Sequence, residues 1–501
     1  MWRNGLWNKL INSNVNSRIL TVIQNLYKSA KSCVEVNGDR SPLFACSIGV
    51  RQGENLSPFL FNIFLNDLSD FMQSEGFEGL RNLDMLSNTR FYRELGLHVK
   101  MFLLLYADDT IIVADDQKGL QKGLNCLEQY CNVWKLSVNI SKTKVLIFSR
   151  GKCRNNINFI FKNEPVEIVT EYTYLGIVLN YNGKFSVAIK RRHDQASKAM
   201  FAIIGQCRKL DLPCDTALEL FDRIVVPIML YGCEVWGFGN IDILERLQLK
   251  FCKILLKLGK RTPSCMIYNE LGRYPIAISI KSRMLSYWAK LTVCKVTKWC
   301  SILYQIIYGL VTEGYISSDW CNFVKDILDK TGNSFLWLQQ RQIDPKWLKD
   351  NVNQILKDQF KQSLNEMIYE NPKCLTYRCF ANEHSYKGYL NELCPSKSLA
   401  IMNFRMGNTK LPAVKGRLFD LDVDRWKCNL CDMNDIGDEL HYVLKCPHFS
   451  RYRRKNLPSV VYSTVNTLNF SRAMNPTNLT ELSQLASLCK VIIDAFKNGH
   501  I

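Results

Sequence analysis

An α+β fold leading into a helical second half is what this sequence predicts, and three observations predict it. Short apolar runs separated by turn residues crowd roughly the first 180 positions, the mark of hairpins and strands with an intervening helix. From Phe185 onward the apolar residues recur at helical spacing instead. Near the end, Cys428, Cys431, His441 and Cys446 give CxxC followed by HxxxxC, the donor types and spacing of a small closed metal module.

The bulk properties narrow the function class. A chain of 501 residues with 47% hydrophobic and 22% charged side chains is an ordinary globular composition, long enough for several domains. Its charge is unusual: Lys+Arg 65 against Asp+Glu 46 leaves +19, an excess that attracts a polyanion, with nucleic acid the first candidate. Charge alone is equally compatible with a solvated basic surface. The 20 cysteines lack the short regular spacings of a disulfide scaffold, so a reducing, intracellular setting is expected. The opening Met1-Trp2-Arg3-Asn4-Gly5-Leu6-Trp7 has no signal-peptide core, and no run reaches the ~18 apolar residues of a membrane span. Secretion and a membrane partner are therefore not expected.

Element by element, Leu6, Leu10, Ile11, Ile19, Val22, Ile23 and Leu26 predict helix interrupted at Asn12 to Asn16. Cys33 to Val36 and Leu43 to Ile48 predict two strands, with Asn37-Gly38 supplying the positive φ angles of a hairpin turn. In Gly49-Val50-Arg51-Gln52-Gly53-Glu54-Asn55-Leu56-Ser57-Pro58 a glycine-bounded loop feeds a helix over Phe59 to Phe71. Ser57 is the expected N-cap, Pro58 the first helical residue, and Phe61, Phe64, Leu65 and Leu68 the buried face. At Gly53 the loop backbone can approach a ligand, because no side chain stands in the way; an ordinary loop-to-helix entry reads the same.

After a loop-rich stretch from 76 to 97, Met101 to Leu105 leads into Tyr106-Ala107-Asp108-Asp109 and Thr110 to Ala114 leads out, predicting a hairpin with both aspartates at its tip. Paired carboxylates there can hold divalent ions for phosphoryl or nucleotidyl transfer; taken alone, the tetrapeptide is also a plain polar turn. Leu120, Leu124, Leu127 and Tyr130 then mark a helix, and Lys142 to Phe148 a lysine-led strand that includes Lys144. Phe159 to Val169 holds an Asn163-Glu164-Pro165 turn, and Tyr172 to Leu179 holds Tyr174-Leu175-Gly176. Helices are expected near 185–209, 214–232, 241–258 and 275–298, the first bearing Lys190, Arg191 and Arg192. From 300 to about 400 the pattern is helical and aromatic without a chemical motif. Three thiolates and one imidazole at 428–446 suit tetrahedral Zn2+, with His448 a substitute ligand, and Arg451, Arg453, Arg454 and Lys455 follow as a basic run suited to touching nucleic acid.

In their order along the chain these segments resemble the reverse transcriptases of non-LTR (LINE-type) retrotransposons. Tyr106-Ala107-Asp108-Asp109 matches the catalytic box, while Gly49 to Gly53 with Leu56 to Asn62 is similar to the box that positions template and nucleotide. Lys142 to Lys144 resembles the next box, and Tyr174-Leu175-Gly176 the hairpin that grips the primer end. Tyr231 to Gly237 and Glu270 to Pro275 resemble thumb and thumb-extension segments, and a terminal CCHC knuckle occurs in many such elements.

The resemblance implies a partial right-hand polymerase palm over 1–184, a helical thumb and extension over 185–300, and a helical region of unassigned role over 301–400. A zinc-knuckle-like module over 401–456 and a C-terminal tail over 457–501 complete it. It implies RNA-directed DNA polymerase chemistry: a primer 3′-hydroxyl attacks the α-phosphate of a deoxynucleotide on an RNA template, with Mg2+ or Mn2+ at Asp108 and Asp109 and Zn2+ at the knuckle. Gln52, Gly53, Ser57, Pro58, Tyr106, Lys144, Tyr174, Leu175 and Gly176 would contact template, primer or nucleotide. Other implied partners are the DNA target and further retroelement-encoded proteins, in the nucleus or a cytoplasmic ribonucleoprotein.

One departure shapes the expectation of activity. The family's palm takes a third metal-binding aspartate from a strand preceding the segment that matches Trp2 to Leu10. Residues 1–34 contain no Asp or Glu, and Asp115 and Asp116 would lie about 20 Å from Asp109 along a strand rising ~3.3 Å per residue. Two dications ~4 Å apart repel by roughly 16 kcal/mol at an effective dielectric of about 20, so bridging carboxylates are essential. The expectation is an N-terminally truncated polymerase, inactive alone. The alternative is a non-catalytic RNA- or DNA-binding remnant.

Overall fold

The computed structural model describes residues 1–51, 53–80, 103–106, 109–149, 151, 157–293, 299–340, 343–381, 383–419 and 421–496. The architecture is mixed α and β, dominated by helix, and divides into two compact units, Met1–Lys184 and Phe185–Ile501. None of the described helices is long and apolar enough to cross a membrane.

In the first unit, helices Arg3–Asn12 and Ser17–Lys28 flank the predicted break. Asn16 caps the second helix by accepting from the Arg18 amide. Leu6, Leu10, Ile23 and Tyr27 join Leu60, Phe64, Leu68, Met72 and Tyr130 in one core, each apolar side chain contributing about 1.5–3 kcal/mol on burial. Asn37 and Gly38 both take positive φ, 52° and 92°, and turn Glu35–Val36 back onto Asp39–Arg40. The strands expected over Cys33–Val36 and Leu43–Ile48 are shorter and re-partnered, for Phe44–Ala45 pairs with Lys31–Ser32.

The next helix needs two corrections. It starts at Leu56, so Ser57 lies inside it and Pro58 follows as its third residue. Instead of capping, the Ser57 hydroxyl donates to the Arg51 carbonyl at 2.5 Å, which ties the loop to the helix. The helix expected through Phe71 ends at Leu65 and resumes over Leu68–Ser74. Asp67 leaves helical geometry between them, and its carboxylate takes the Lys9 ammonium and the Tyr130 hydroxyl.

Helix Gln117–Val133 begins at Asp116, whose carboxylate accepts from the Gly119 amide at 2.6 Å. It covers a second core of Leu124, Val145, Phe159, Phe161 and Val166. Strand Lys144–Leu146 runs parallel to Glu167–Val169. The turn expected at Asn163-Glu164-Pro165 is shifted by one residue: Ile160–Phe161 pairs with Glu164–Pro165, and Lys162 and Asn163 make the turn at φ 49° and 63°.

The second unit is built from paired long helices, Ile276–Val293 along Pro345–Glu370 and Pro395–Arg405 along Leu479–Ala495. The helix expected over 214–232 contains a π-turn at Phe221–Val225. Pro227 explains it, since proline has no amide to donate and its ring crowds the carbonyl four residues earlier. Part of the helix expected to 298 lies outside the described residues. The stretch after 456, expected as a tail, holds helices Ser459–Tyr462, Thr467–Met474 and Leu479–Ala495, the last burying Leu485, Leu488, Cys489 and Ile492.

Candidate metal and nucleic-acid sites

The double-carboxylate hairpin forms as its apolar flanks require. Leu103–Tyr106 pairs antiparallel with Asp109–Ile112, and the register sets Tyr106 opposite Asp109. Ala107 and Asp108 fall between these partners and lie outside the described residues, as does Gln52. Asp109 is exposed, open to a ligand. Leu103 and Ile112 rest on the core that contains Leu6, Phe64 and Tyr130, so the hairpin stands on packed helices.

A second turn lies within electrostatic reach of that carboxylate. Glu171–Tyr174 pairs with Ile177–Asn180, and Leu175 and Gly176 make the turn at φ 47° and 77°. A left-handed leucine costs roughly 1–2 kcal/mol, so the surrounding pairing must enforce it. Partial burial pushes the Tyr174 hydroxyl above its ordinary value, and the charge of Asp109 pushes it the same way. The phenol is therefore neutral, a hydrogen-bond donor that feels the charge of Asp109.

The loop before Leu56 is held by two arginines that sequence reasoning did not single out for this role. Arg3 donates to the Gly49 carbonyl (3.0 Å) and the Tyr27 carbonyl (2.9 Å), while its guanidinium lies over the Tyr27 ring. Arg51 donates to the Leu26 carbonyl at 2.6 Å and pairs with Glu54 at 2.8 Å. Gly53 takes φ +88° and is exposed, and among the described residues beyond its chain neighbours no heavy atom lies within 4 Å of where a Cβ would stand. Ser57 is buried and spent on the loop, and Pro58 is exposed. Lys144 is also engaged: its ammonium pairs with Glu167 at 2.5 Å across the parallel strands.

Lys9 is a further residue with no sequence signal. It is buried at 5% exposure, donates to Phe64 O and Tyr130 Oη at 2.5 Å each, pairs with Asp67, and sits 3.8 Å from the Trp134 ring centroid. Burial lowers its pKa and the Asp67 carboxylate only partly restores it.

The Cys/His cluster assembles completely. Sγ of Cys428, Cys431 and Cys446 and a ring nitrogen of His441 all lie within 4.8 Å of one another. Cys431 Sγ is 3.6 Å from Cys428 Sγ and 3.5 Å from His441 Nε2. A tetrahedron with metal–sulfur bonds of ~2.3 Å has sulfur–sulfur edges of about 3.8 Å, so the spacing fits four donors around one ion and is far too long for a disulfide. Every described cysteine is a free thiol.

Local geometry fixes each donor. The Cys428 amide donates to Asp435 O, the Leu430 amide points at Cys428 Sγ, and the His441 amide donates to the Asp438 carboxylate. Asp435 places a carboxylate oxygen 3.6 Å from His441 Nδ1, the ring nitrogen opposite the one that faces Cys431, too far for a hydrogen bond but close enough to favour a proton on Nδ1. Burial lowers the His441 pKa, which favours the neutral ligand form. Burial and the neighbouring thiols push Cys446 up to about 12; a bound dication reverses that penalty by taking the thiolate. His448, the substitute ligand considered from sequence, is exposed and outside the group.

The basic run after Cys446 is not uniform. Arg453 is buried and donates to the Val443 carbonyl (2.7 Å) and the Cys446 carbonyl (2.8 Å), bracing the metal loop. Arg451, Arg454 and Lys455 are exposed. The expectation that all four face nucleic acid is thus corrected, because helical spacing turns Arg453 inward.

Two buried ion pairs underlie this part of the molecule. Glu270, at 0% exposure, receives Arg405 and the hydroxyls of Tyr377 and Tyr389. Glu439, between Cys431 and His441 in sequence, receives Arg417 at 3.0 Å and Thr376 at 2.7 Å.

Residues 1–179 match the reverse transcriptase (RNA-dependent DNA polymerase) family. The chain is similar to the RNA-directed DNA polymerase from mobile element jockey of Drosophila funebris, 23% identical over 273 residues, covering 52% of this chain and 27% of that protein. A transposon-derived protein of Caenorhabditis elegans is 27% identical over 215 residues, 40% of this chain and 75% of that protein. The Pol polyprotein from type-1 retrotransposable element R2 of Nasonia vitripennis is 27% identical over 249 residues, 48% of this chain and 22% of that protein. The chain spans about a quarter of the length of the jockey and R2 proteins it matches. It carries a reverse transcriptase domain and is related to the polymerases of non-LTR, LINE-type retrotransposons.

Proposed function

We propose that this chain serves RNA-templated DNA synthesis in a non-LTR retrotransposon, with Asp108 and Asp109 as its metal-binding carboxylates. The supporting observation is the register of the hairpin, which presents Asp109 exposed and opposite Tyr106 within the matched domain. In this reading 1–184 is palm, 185–300 thumb and extension, and 401–456 a zinc-binding module attached to them.

Mg2+ or Mn2+ held by the two aspartates would activate a primer 3′-hydroxyl and neutralise the departing pyrophosphate. The chain's own groups do the positioning. Bare backbone at Gly53 admits template or nucleotide against a loop stiffened by Arg3 and Arg51. The neutral Tyr174 hydroxyl and the Leu175-Gly176 turn offer a donor and a rigid edge to the primer end. At the other end, three thiols and one neutral imidazole match Zn2+ in donor type, number and spacing.

Primer extension on an RNA template with Mg2+ or Mn2+ tests the site. Deoxynucleotide incorporation by the chain that disappears in Asp108→Ala and Asp109→Ala assigns the two carboxylates and overturns the expectation that the chain alone is inactive; incorporation that persists in Asp108→Ala overturns the assignment. The basic excess favours a second reading, nucleic-acid binding without catalysis. Salt-dependent RNA binding by a chain that incorporates nothing in the same assay supports that reading.

A further inference from the structure

The second unit holds a cavity of about 440 Å³ between the Gly259–Pro263 loop, the Met406–Asn408 loop and the end of the Pro412–Phe419 helix. Lys260, Arg261, Lys373 and Arg417 line it, and none of the described lining residues is a carboxylate. Arg417 pairs with Glu439; among the described lining residues Lys260, Arg261 and Lys373 make no ion pair, and Arg261 donates to the Leu418 carbonyl at 3.3 Å. Lys253 adds a fourth nearby: its ammonium bonds the Lys260 carbonyl at 2.8 Å, and burial followed by repulsion from Lys373 lowers its pKa. Like charges gathered in one space are stabilised by an anion. At the rim Phe419 is 61% exposed, and the Arg261 guanidinium lies 5.2 Å from its ring centroid.

We infer that this cavity is a single-stranded nucleic-acid subsite, in which Lys260, Arg261 and Lys373 receive consecutive phosphates and Phe419 stacks on a base. The inference rests on the proposed function for its class of partner but not on the aspartate hairpin. An aromatic face beside a cationic groove is how a flexible strand is held without reading its sequence, because every base has a face to stack. An anion alone would need no exposed ring, and a duplex keeps its bases stacked inside, out of Phe419's reach. A free deoxynucleotide shares the phosphate-and-base chemistry. The open edge and the number of cations favour the polymer.

Fluorescence anisotropy of the full chain with a labelled single-stranded 12-mer tests this, run over a salt series. Lys260→Ala/Lys373→Ala is expected to flatten the slope of log affinity against log salt by about 1.4, two phosphates at ~0.7 each. Phe419→Ala should weaken binding roughly 10-fold, with Phe419→Trp restoring it. Melting curves of these surface variants control for folding. Single strands carrying photoreactive 4-thiouridine should cross-link to the peptide containing Phe419, and the Phe419→Ala chain should lose that adduct. Unchanged affinity, slope and cross-link overturn the subsite while leaving the chain a nucleic-acid binder. Failure of the unaltered chain to bind any strand overturns both this inference and the proposed function. Full competition by a deoxynucleoside triphosphate at its own micromolar affinity, lost in the lysine variant, reassigns the cavity to a nucleotide and overturns the strand.

Discussion

The aspartate hairpin and the Cys/His cluster are both candidate metal sites, and they are built in opposite ways. Asp109 stands exposed on a two-stranded hairpin, with its neighbouring turn held in a strained left-handed conformation. The four donors near the C-terminus are gathered within 4.8 Å; the three buried ones, Cys428, His441 and Cys446, are braced by a local hydrogen bond or a buried arginine. A site that must admit a nucleotide and a primer keeps its ligands open to solvent and leaves the metal's remaining positions to substrate. A site whose task is to hold the chain together closes its coordination with protein alone. In the proposed reading, exposure of the donors is what distinguishes the substrate-facing site from the structural one.

The largest effect should come from the closed site. Cys428→Ser or Cys446→Ser is expected to remove one equivalent of zinc by elemental analysis and to destabilise the second unit by several kcal/mol, because metal affinity at such a site is folding free energy. A variant that keeps stoichiometric zinc would erase the contrast. Next in size is Arg405→Ala, which leaves Glu270 charged and fully buried; urea unfolding should show a loss of about 3–5 kcal/mol. Arg405→Met combined with Glu270→Leu should recover much of it, since a well-packed apolar pair can replace a buried ion pair.

Acid should act through the same pair. Burial opposes ionisation of Glu270, yet Arg405 and the two tyrosine hydroxyls outweigh it and hold the carboxyl below its ordinary range. A group whose folded pKa is depressed stabilises the fold above its unfolded value, about 4.3, and that contribution is lost as pH falls through the folded value. The unfolding midpoint should therefore drop more steeply below pH 4 in the parent chain than in Glu270→Gln. The smallest stability effect belongs to the open site: Asp109→Ala should change stability by no more than about 0.5 kcal/mol while abolishing incorporation. A large loss of stability there would mean that Asp109 serves the fold and not a substrate.

Legibility followed the range of the interactions. The Asn37-Gly38 turn, the break at Asn12 to Asn16, the Tyr174-Leu175-Gly176 hairpin and the helix marked by Leu120, Leu124, Leu127 and Tyr130 all rest on local chemistry, and each could be read from a few neighbouring residues. Ser57 was misread because a cap and a loop tie use the same hydroxyl, and only the position of Arg51 O decides between them. The same limit hid Arg453, whose inward turn depends on carbonyls freed at the end of the metal loop.

By itself, then, the sequence determined the donor types: two carboxylates at a hairpin, three thiols and an imidazole at a fixed spacing, and a basic excess. These are properties of residues a few positions apart, set by turn and strand periodicity. The tertiary structure decided which of these groups are buried, which are already engaged and which remain open. Lys144 is taken by Glu167, Glu270 meets Arg405 across 135 positions, and Lys260, Arg261 and Lys373 converge on one cavity from separate loops. Pairings of that length are chosen by how helices pack and by the cost of leaving a buried charge alone, and neither is written in a local pattern.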